Sequence, residues 1–313
     1  MIETVAAIVV TYNRKELLIE CLEGLRTQSR PLDRIFIIDN ASTDGTSELL
    51  RERGFMADSR FEYVCMQGNT GGAGGFHAGV KRAFEAGYDC FWLMDDDVEP
   101  YSEGLESLLK YRKDSGCVHG RRRNPDGSAF PWGDRFHPST VTMTQIGDPL
   151  FTMNQEVQEI NVGCFEGMLI GREVVAKIGF PDPEFFIGMD DTFYGYLASH
   201  VTRVLYVNVF SLRRKRSLAL TSSGGWRRRT LCRLSPLALY YAHRNRFLIA
   251  RTLGNHSLPF ALASLRTLVR SLLREFIVFR SAAGGSSVLR GFRDGIRLMS
   301  RTSDESNDFV MRD

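Results

Sequence analysis

With 313 residues, 43% of them apolar and 25% charged, the chain has the ordinary composition of a soluble globular protein, long enough for one large unit or two closely packed ones. No apolar run approaches the roughly 18 residues of a membrane span, and six scattered cysteines fit neither a zinc site nor a disulfide framework, which points to a reducing compartment. The net charge of +3 conceals an asymmetry: 20 Lys and Arg lie between Arg203 and Ser303 against only Glu275 and Asp294, so the C-terminal third is expected to meet an anionic surface.

In chain order, Val5 to Val10 is a β-branched apolar run, expected as the first strand; Ile8-Val9-Val10 is too short and wrongly flanked for a signal peptide. Leu17, Leu18, Cys21, Leu22 and Leu25 give helical spacing to Lys15–Gln28. A second strand over Arg34–Ile38 runs into the cap and turn formers of residues 39–46, followed by a helix through Leu49 and Leu50. A third strand near Phe61–Met66 leads into a glycine-rich loop, Gly68 to Gly75, and a helix from Phe76 to Ala86. Phe91 to Met94 reads as a buried fourth strand that ends in Asp95-Asp96-Asp97. Strands alternating with helices in this order predict an α/β fold with a parallel, doubly wound sheet. Beyond Pro100 we expect a helix through Leu105, Leu108 and Leu109, then a surface excursion or antiparallel strands over residues 119–160. An apolar stretch at Gly163–Ile170, a helix at Arg172–Ile178 and a break at Pro181-Asp182-Pro183 bring the chain to Asp190-Asp191. From Leu231 the pattern is helical and basic, with a break at Gly284-Gly285-Ser286-Ser287.

Three adjacent carboxylates repel one another, so a buried cluster needs a cation or protons. Strand alternation turns Asp95 and Asp97 to one side and Asp96 away, and two carboxylates on one side suit a hard divalent ion that also holds a diphosphate. The glycine loop lacks the dinucleotide and P-loop fingerprints, but it lets backbone N–H groups approach a ligand, or else serves only as a turn. Asp39 and Asn40 end a strand, where they can read a base or ribose; Ser42, Thr43 and Asp44 are caps and turn formers. Asp190 and Asp191 lie among aromatic residues, a setting that raises a carboxyl pKa and suits a general base, although acids also favour a helix N-terminus. No histidine has metal-ligand spacing.

Thr-x-Asn-Arg at 11–14, Asp-Asn-x-Ser-x-Asp-Gly-Thr at 39–46, Asn-x-Gly-Gly-x-Gly-Gly at 69–75, Asp-Asp-Asp at 95–97 and the later Asp-Asp occur in one order. That order resembles the inverting, family-2-type nucleotide-sugar glycosyltransferases of GT-A fold, and Gly68–Asp97 is most similar to the branch with bacterial galactofuranosyltransferases and rhamnosyltransferases. The resemblance implies a GT-A, Rossmann-like, mostly parallel central sheet flanked by helices over residues 1–215, with a basic, mainly helical region over 216–313. It implies that Thr11, Arg14, Asp39, Asn40, Asn69, Gly71, Gly72, Asp95 and Asp96 bind the nucleotide-sugar, and that Asp95 and Asp97 bind Mn²⁺ or Mg²⁺. Asp191, with Asp190 beside it, would be the catalytic base. The implied reaction moves a sugar, first of all galactofuranose from its UDP donor, onto a hydroxyl of a bacterial cell-surface glycan or its lipid-linked precursor. Rhamnose from dTDP-rhamnose and UDP-galactopyranose are the alternatives, and an inactive nucleotide-sugar-binding protein is a reading of another class.

One departure accompanies the resemblance. Members usually carry a metal-ligating histidine roughly twenty residues after the acidic pair, where this chain has Val204 to Arg214 without one. Arg213 or Arg214 would then stabilise the diphosphate, or extra waters would complete the ion's shell. Along residues 258–280, Leu262, Leu265, Val269, Leu272, Leu273 and Phe276 recur at helical spacing beside Arg266, Arg270 and Arg274. Such a helix either packs on the catalytic domain or lies in an anionic membrane interface. The expected location is therefore cytoplasmic and peripheral on the inner face of the cell membrane. Nucleic acid is not an expected partner, because the arginines lack interleaved aromatic stacking residues.

Overall fold

In the first half of the chain β1 (Val5–Thr11), α1 (Lys15–Arg26), β2 (Arg34–Asp39), α2 (Thr46–Glu52), β3 (Phe61–Cys65), α3 (Gly71–Glu85) and β4 (Cys90–Asp95) alternate in a computed structural model. It describes residues 3–145, 151, 155–216, 220–223 and 229–300. There follow β5 (Val98–Pro100), α4 (Gly104–Leu109), β6 (Cys117–Arg123), β7 (Asp134–His137), β8 (Thr142–Gln145), β9 (Val157–Ile160), β10 (Met168–Gly171), α5 (Arg172–Ile178), α6 (Asp190–Ala198) and β11 (Val204–Arg214). The C-terminal region opens with a hairpin, β12 (Leu220–Ser223) and β13 (Arg229–Cys232), before α7 (Pro236–Thr252), α8 (Leu258–Leu273) and α9 (Ala282–Met299). Parts of the expected 119–160 excursion, at 146–150 and 152–154, lie outside the described residues. So do 217–219, 224–228 and 301–313 of the expected C-terminal region.

Among the described residues one nine-stranded sheet has the order β3-β2-β1-β4-β10-β6-β11-β5, with β9 also on β11. The first four strands pair in parallel, β10 is antiparallel to both β4 and β6, and β6 returns parallel to β11. Strands covered on both faces carry continuous apolar runs. In β1, Ala6, Ile8 and Val10 face a core with α3 and α5, while Val5, Ala7 and Val9 face a second core with α1 and α4.

Two expectations are corrected and a third is decided between its alternatives. The helix after β3 begins at Gly71 rather than Phe76, so the glycines form its first turns. A Cβ on Gly71, which has φ 73°, would overlap the Phe186 carbonyl, and the glycines thereby let α3 seat against a distant loop. Of the two alternatives for residues 119–160, residues 119–123 take the strand: they end β6, antiparallel to β10 and parallel to β11, and Arg122, only 2% exposed, is buried because it is paired with Glu166. Gly284 to Ser287 do not break the last helix. They lie inside α9, capped by Ser281, whose Oγ accepts from Gly284 N at 3.0 Å, and the glycines of α9 allow a close crossing on α7.

The helix α8 turns its apolar stripe outward. Leu262, Leu265, Val269, Leu273 and Phe276 are all exposed, with Leu258 at 70% and Ile277, in the π-helical turn that follows, at 68%. Its buried face is instead formed by Phe260 and Ser264, and Arg266 and Arg270 are exposed on the flank. No described helix is long and apolar enough to cross a membrane.

Candidate active site

The carboxyl ends of β1, β2 and β4 converge, as parallel strands of an open sheet require, and most of the expected residues meet there. Thr11, the last residue of β1, is buried and donates its hydroxyl to Asp96 Oδ2 at 2.7 Å. Arg14, at the N-terminus of α1, donates one amino group to Asp96 Oδ1 at 3.0 Å and to Asp97 Oδ2 at 3.2 Å. Asp96 stays beside Asp97 through the shared Arg14 nitrogen but lies outside the group that Asp95 and Asp97 form, and it clamps the β1 loop to the end of β4. At the end of β2, Asp39 accepts from the Tyr63 hydroxyl at 2.6 Å and from Ser42 N at 2.8 Å.

Asp95 and Asp97 point to a common place and are joined by Glu166; one oxygen from each lies within 4.8 Å of the others. The antiparallel neighbour explains this. Met168 of β10 pairs with Leu93 of β4, and Gly167 N donates to the Leu93 carbonyl at 2.8 Å, so Glu166 falls beside the end of β4. Glu166 is held by Arg122 at 2.9 Å and by Arg214, at the end of β11, at 3.0 Å. Arg213 points the other way and pairs with Glu99, so only Arg214 of the two shares the site. Burial, followed by the charges of Asp97 and Glu166, raises Asp95 well above the usual carboxylate range, and burial raises Asp97 against the opposing pull of Arg14. A cluster so strained by like charge, with hard oxygen donors only, fits a divalent ion such as Mn²⁺ or Mg²⁺.

Asn40 is buried and engaged by the turn before α3. Its Oδ1 accepts from Thr70 Oγ1 at 2.9 Å and its Nδ2 donates to the Gly71 carbonyl at 3.0 Å. Asn69 is exposed and accepts from Gly71 N at 2.8 Å, while Gly72 has open space where a side chain would stand. Asn40 and Asn69 thus shape the turn, and Gly72 presents bare backbone to its mouth.

The acidic pair opens α6. Asp191 accepts from Thr192 N at 2.6 Å, and Asp190 is pushed up to about 7 by burial and then by the charge of Asp191. Burial also raises Asp191. Gly163 and Gly195 let the segment that carries Glu166 pack directly on α6, which brings Asp191 and Glu166 into one electrostatic neighbourhood.

Sequence reasoning missed Glu166. The signal was present: it is the lone acid in the otherwise uncharged run Gly163 to Gly171, and an isolated carboxylate in such a run is held inside by partners.

The family model described as glycosyl transferase family 2 matches residues 6–179, which span the parallel strands, the three aspartates and Glu166. The chain belongs to glycosyl transferase family 2. Among its relatives, galactofuranosyltransferase GlfT1 of Mycolicibacterium smegmatis is 28% identical over 200 residues, covering 60% of this chain and 63% of that protein. The chain therefore spans less than two thirds of that relative's length. Solved structures share the fold at low identity. Staphylococcus aureus TarS 1-349 in complex with UDP-GlcNAc superposes with a TM-score of 0.59 and 13% identity, covering 95% of this chain and 81% of that one. GalNAc-T7 with UDP, GalNAc and Mn²⁺ gives 0.59 and 15%, covering 88% and 57%. This family 2 chain thus has the GT-A glycosyltransferase fold, with a sheet that is parallel on one side and mixed on the other.

Proposed function

We propose that the protein is a nucleotide-sugar hexosyltransferase that transfers galactofuranose from UDP-galactofuranose to a hydroxyl of a bacterial cell-surface glycan or its lipid-linked precursor, with inversion. One observation carries this reading: Asp95, Asp97 and Glu166 share one end of the sheet with Arg14 and Arg214, and a second acidic pair with raised pKa, Asp190 and Asp191, stands on the adjoining helix. The likeness to GlfT1 supports the choice of sugar.

In this reaction the acceptor O–H gives its proton to Asp191 as its oxygen bonds to the anomeric carbon. The bond from that carbon to the diphosphate oxygen breaks on the opposite face, and its electron pair leaves with the nucleoside diphosphate. A single displacement of this kind inverts the centre. Asp95 and Asp97, with Glu166 in place of the usual histidine, would hold Mn²⁺ or Mg²⁺, which supplies charge neutralisation to the leaving diphosphate. Arg14 and Thr11 line the nucleotide pocket through Asp96, Asp39 meets the base, and the turn shaped by Asn40, Asn69, Gly71 and Gly72 meets the ribose and sugar. The same reading includes peripheral attachment at the cytoplasmic membrane face. The outward apolar stripe of α8, flanked by Arg266 and Arg270, has the chemistry of an interfacial helix drawn to anionic lipid.

A donor screen tests the function: purified protein with Mn²⁺ or Mg²⁺ and a panel of UDP-, dTDP- and GDP-sugars, each with and without a glycan acceptor. UDP-galactofuranose should turn over fastest. Preference for dTDP-rhamnose or UDP-galactopyranose would reassign the donor, and binding without turnover would make the chain a nucleotide-sugar-binding protein.

A further inference from the structure

Between the break at Pro183 and the acidic pair the backbone takes an unusual course. Phe186 has φ 61°, Gly188 φ 81° and Met189 φ 67°, so three of the four residues before Asp190 occupy the left-handed region, two of them with side chains. Such a run persists only where the surroundings over-determine it. On one side is the first turn of α3, whose Ala73 N donates to the Phe186 carbonyl at 3.1 Å. On the other is α7.

Asn245 of α7 is fully buried, and its Nδ2 lies 3.0 Å from the Phe185 carbonyl, 3.1 Å from that of Ile187 and 2.8 Å from that of Gly188. An amide nitrogen has two hydrogens, so three carbonyls share them around one point. Its Oδ1 has no partner among the described residues. The side chain is therefore a donor hub for one loop and nothing else. One turn earlier on the same helix face, Tyr241 stacks on Phe186 with ring centres 4.8 Å apart and planes 16° from parallel. Arg251, two turns later, pairs with Glu184 at 2.7 Å. Remove the hub and the Phe185, Ile187 and Gly188 carbonyls lose a shared donor at once just ahead of Asp190 and Asp191, Phe185 keeping only the Ile187 N–H at 2.7 Å.

We infer that Asn245 is a positioning residue for transfer: from the C-terminal helical region it fixes the strained loop 185–189 and, through it, the direction in which Asp191 faces the acceptor. The inference rests on the proposed role of Asp191 as base. A base displaced by a fraction of an ångström still leaves the donor site intact, so the signature is a loss in kcat with KM for the donor unchanged.

The test compares Asn245→Ala and Asn245→Asp, the latter equal in shape but without an amide donor, with Leu248→Ala, a core truncation one turn further along the same helix that removes no hydrogen bond to the loop. Turnover of UDP-galactofuranose in Mn²⁺ is measured below each variant's Tm, and amide hydrogen exchange is followed over residues 183–192. Both Asn245 variants should lower kcat about 10- to 100-fold at unchanged donor KM, with faster exchange confined to that loop. Leu248→Ala should lower Tm but keep kcat. In an Asp191→Asn background, Asn245→Ala should add little further loss, because the base it orients is gone. Faster exchange with kcat within twofold of the parent, or a full additional loss in the Asp191→Asn background, would overturn the positioning role alone. If Asp191→Asn itself left kcat unchanged, the base assignment would fall and the inference with it, whatever the exchange data showed.

Discussion

One amino group of Arg14 serves both Asp96, at 3.0 Å, and Asp97, at 3.2 Å. The two carboxylates differ in situation: Asp96 is closed in and also takes the Thr11 hydroxyl, whereas Asp97 faces Asp95 and Glu166. Arg14 thus ties the β1 loop to the β4 end and screens the carboxylate cluster at the same time.

Replacing Arg14 separates these effects. Arg14→Lys keeps a charge, but its ammonium is a compact, strongly hydrated point charge without the further donors of the guanidinium. We expect weaker binding of UDP, on the order of tenfold, for Lys and more for Ala, read by calorimetry at fixed Mn²⁺. Unchanged affinity in both variants would remove Arg14 from the nucleotide pocket.

Asp95→Ala and Asp97→Ala should abolish transfer while leaving the fold intact, and EDTA should do the same to the wild-type protein. Glu166→Gln should raise the Mn²⁺ concentration for half-maximal activity on the order of tenfold, the scale of losing a partner at a metal site. Mn²⁺ should raise the Tm of the wild type, because it relieves the repulsion among three close carboxylates. Full activity in excess EDTA would transfer the role to Arg214.

Asp191→Asn should cut the rate about 10²- to 10⁴-fold with donor affinity nearly unchanged. If Asp190→Asn proved the more damaging change, the two roles would be exchanged.

The acidic pair also gives opposite pH trends for activity and stability. Asp190 is raised to about 7 from 3.8, and Asp191 is raised too, in both cases chiefly by burial. A base must be ionised, so kcat should fall as pH drops through the raised pKa of Asp191. The folded protein keeps protons that the unfolded chain has released, so the stability from Asp190 is complete below about 4 and is lost as pH rises through about 7, with Asp191 acting in the same sense. Tm and kcat measured from about pH 5.5 to 8.5 should therefore slope in opposite senses, and Asp190→Asn should flatten the Tm slope relative to wild type.

Attachment to a membrane is checked by sedimentation with vesicles. Binding should need anionic lipid, weaken with salt, and fall when Leu262 and Val269 become Ser or when Arg266 and Arg270 become Gln, each arginine contributing about 1 kcal/mol. Equal partitioning onto neutral and anionic vesicles, or none onto either, would leave the stripe without this partner.

The parallel half of the fold was legible because β1 and β4 are buried on both faces, and such strands leave continuous apolar runs in the chain, Val5–Val10 and Phe91–Met94. For the same reason the acidic end of β4 stood out. What escaped was set by residues distant in sequence. Glu166 comes to Asp95 only through the antiparallel register of β10, and local periodicity carries no information about that pairing. The glycines at 71–75 read as a flexible loop, yet they open a helix whose fit depends on Phe186, more than a hundred residues away. Nothing in the local pattern of the basic helix singles out Asn245, and only the loop it faces gives it a task. In α8 the periodicity was correctly read as amphipathic, but periodicity cannot say which face turns inward.

That outward stripe has a colloidal consequence. Leucine, valine and phenylalanine side chains on the outside of a folded protein attract the same side chains on the next molecule, and basic flanks screened by salt no longer keep molecules apart. The protein in plain buffer should therefore scatter more light as concentration and ionic strength rise, and mild detergent micelles, by wetting α8 alone, should return it to single particles without touching the sheet.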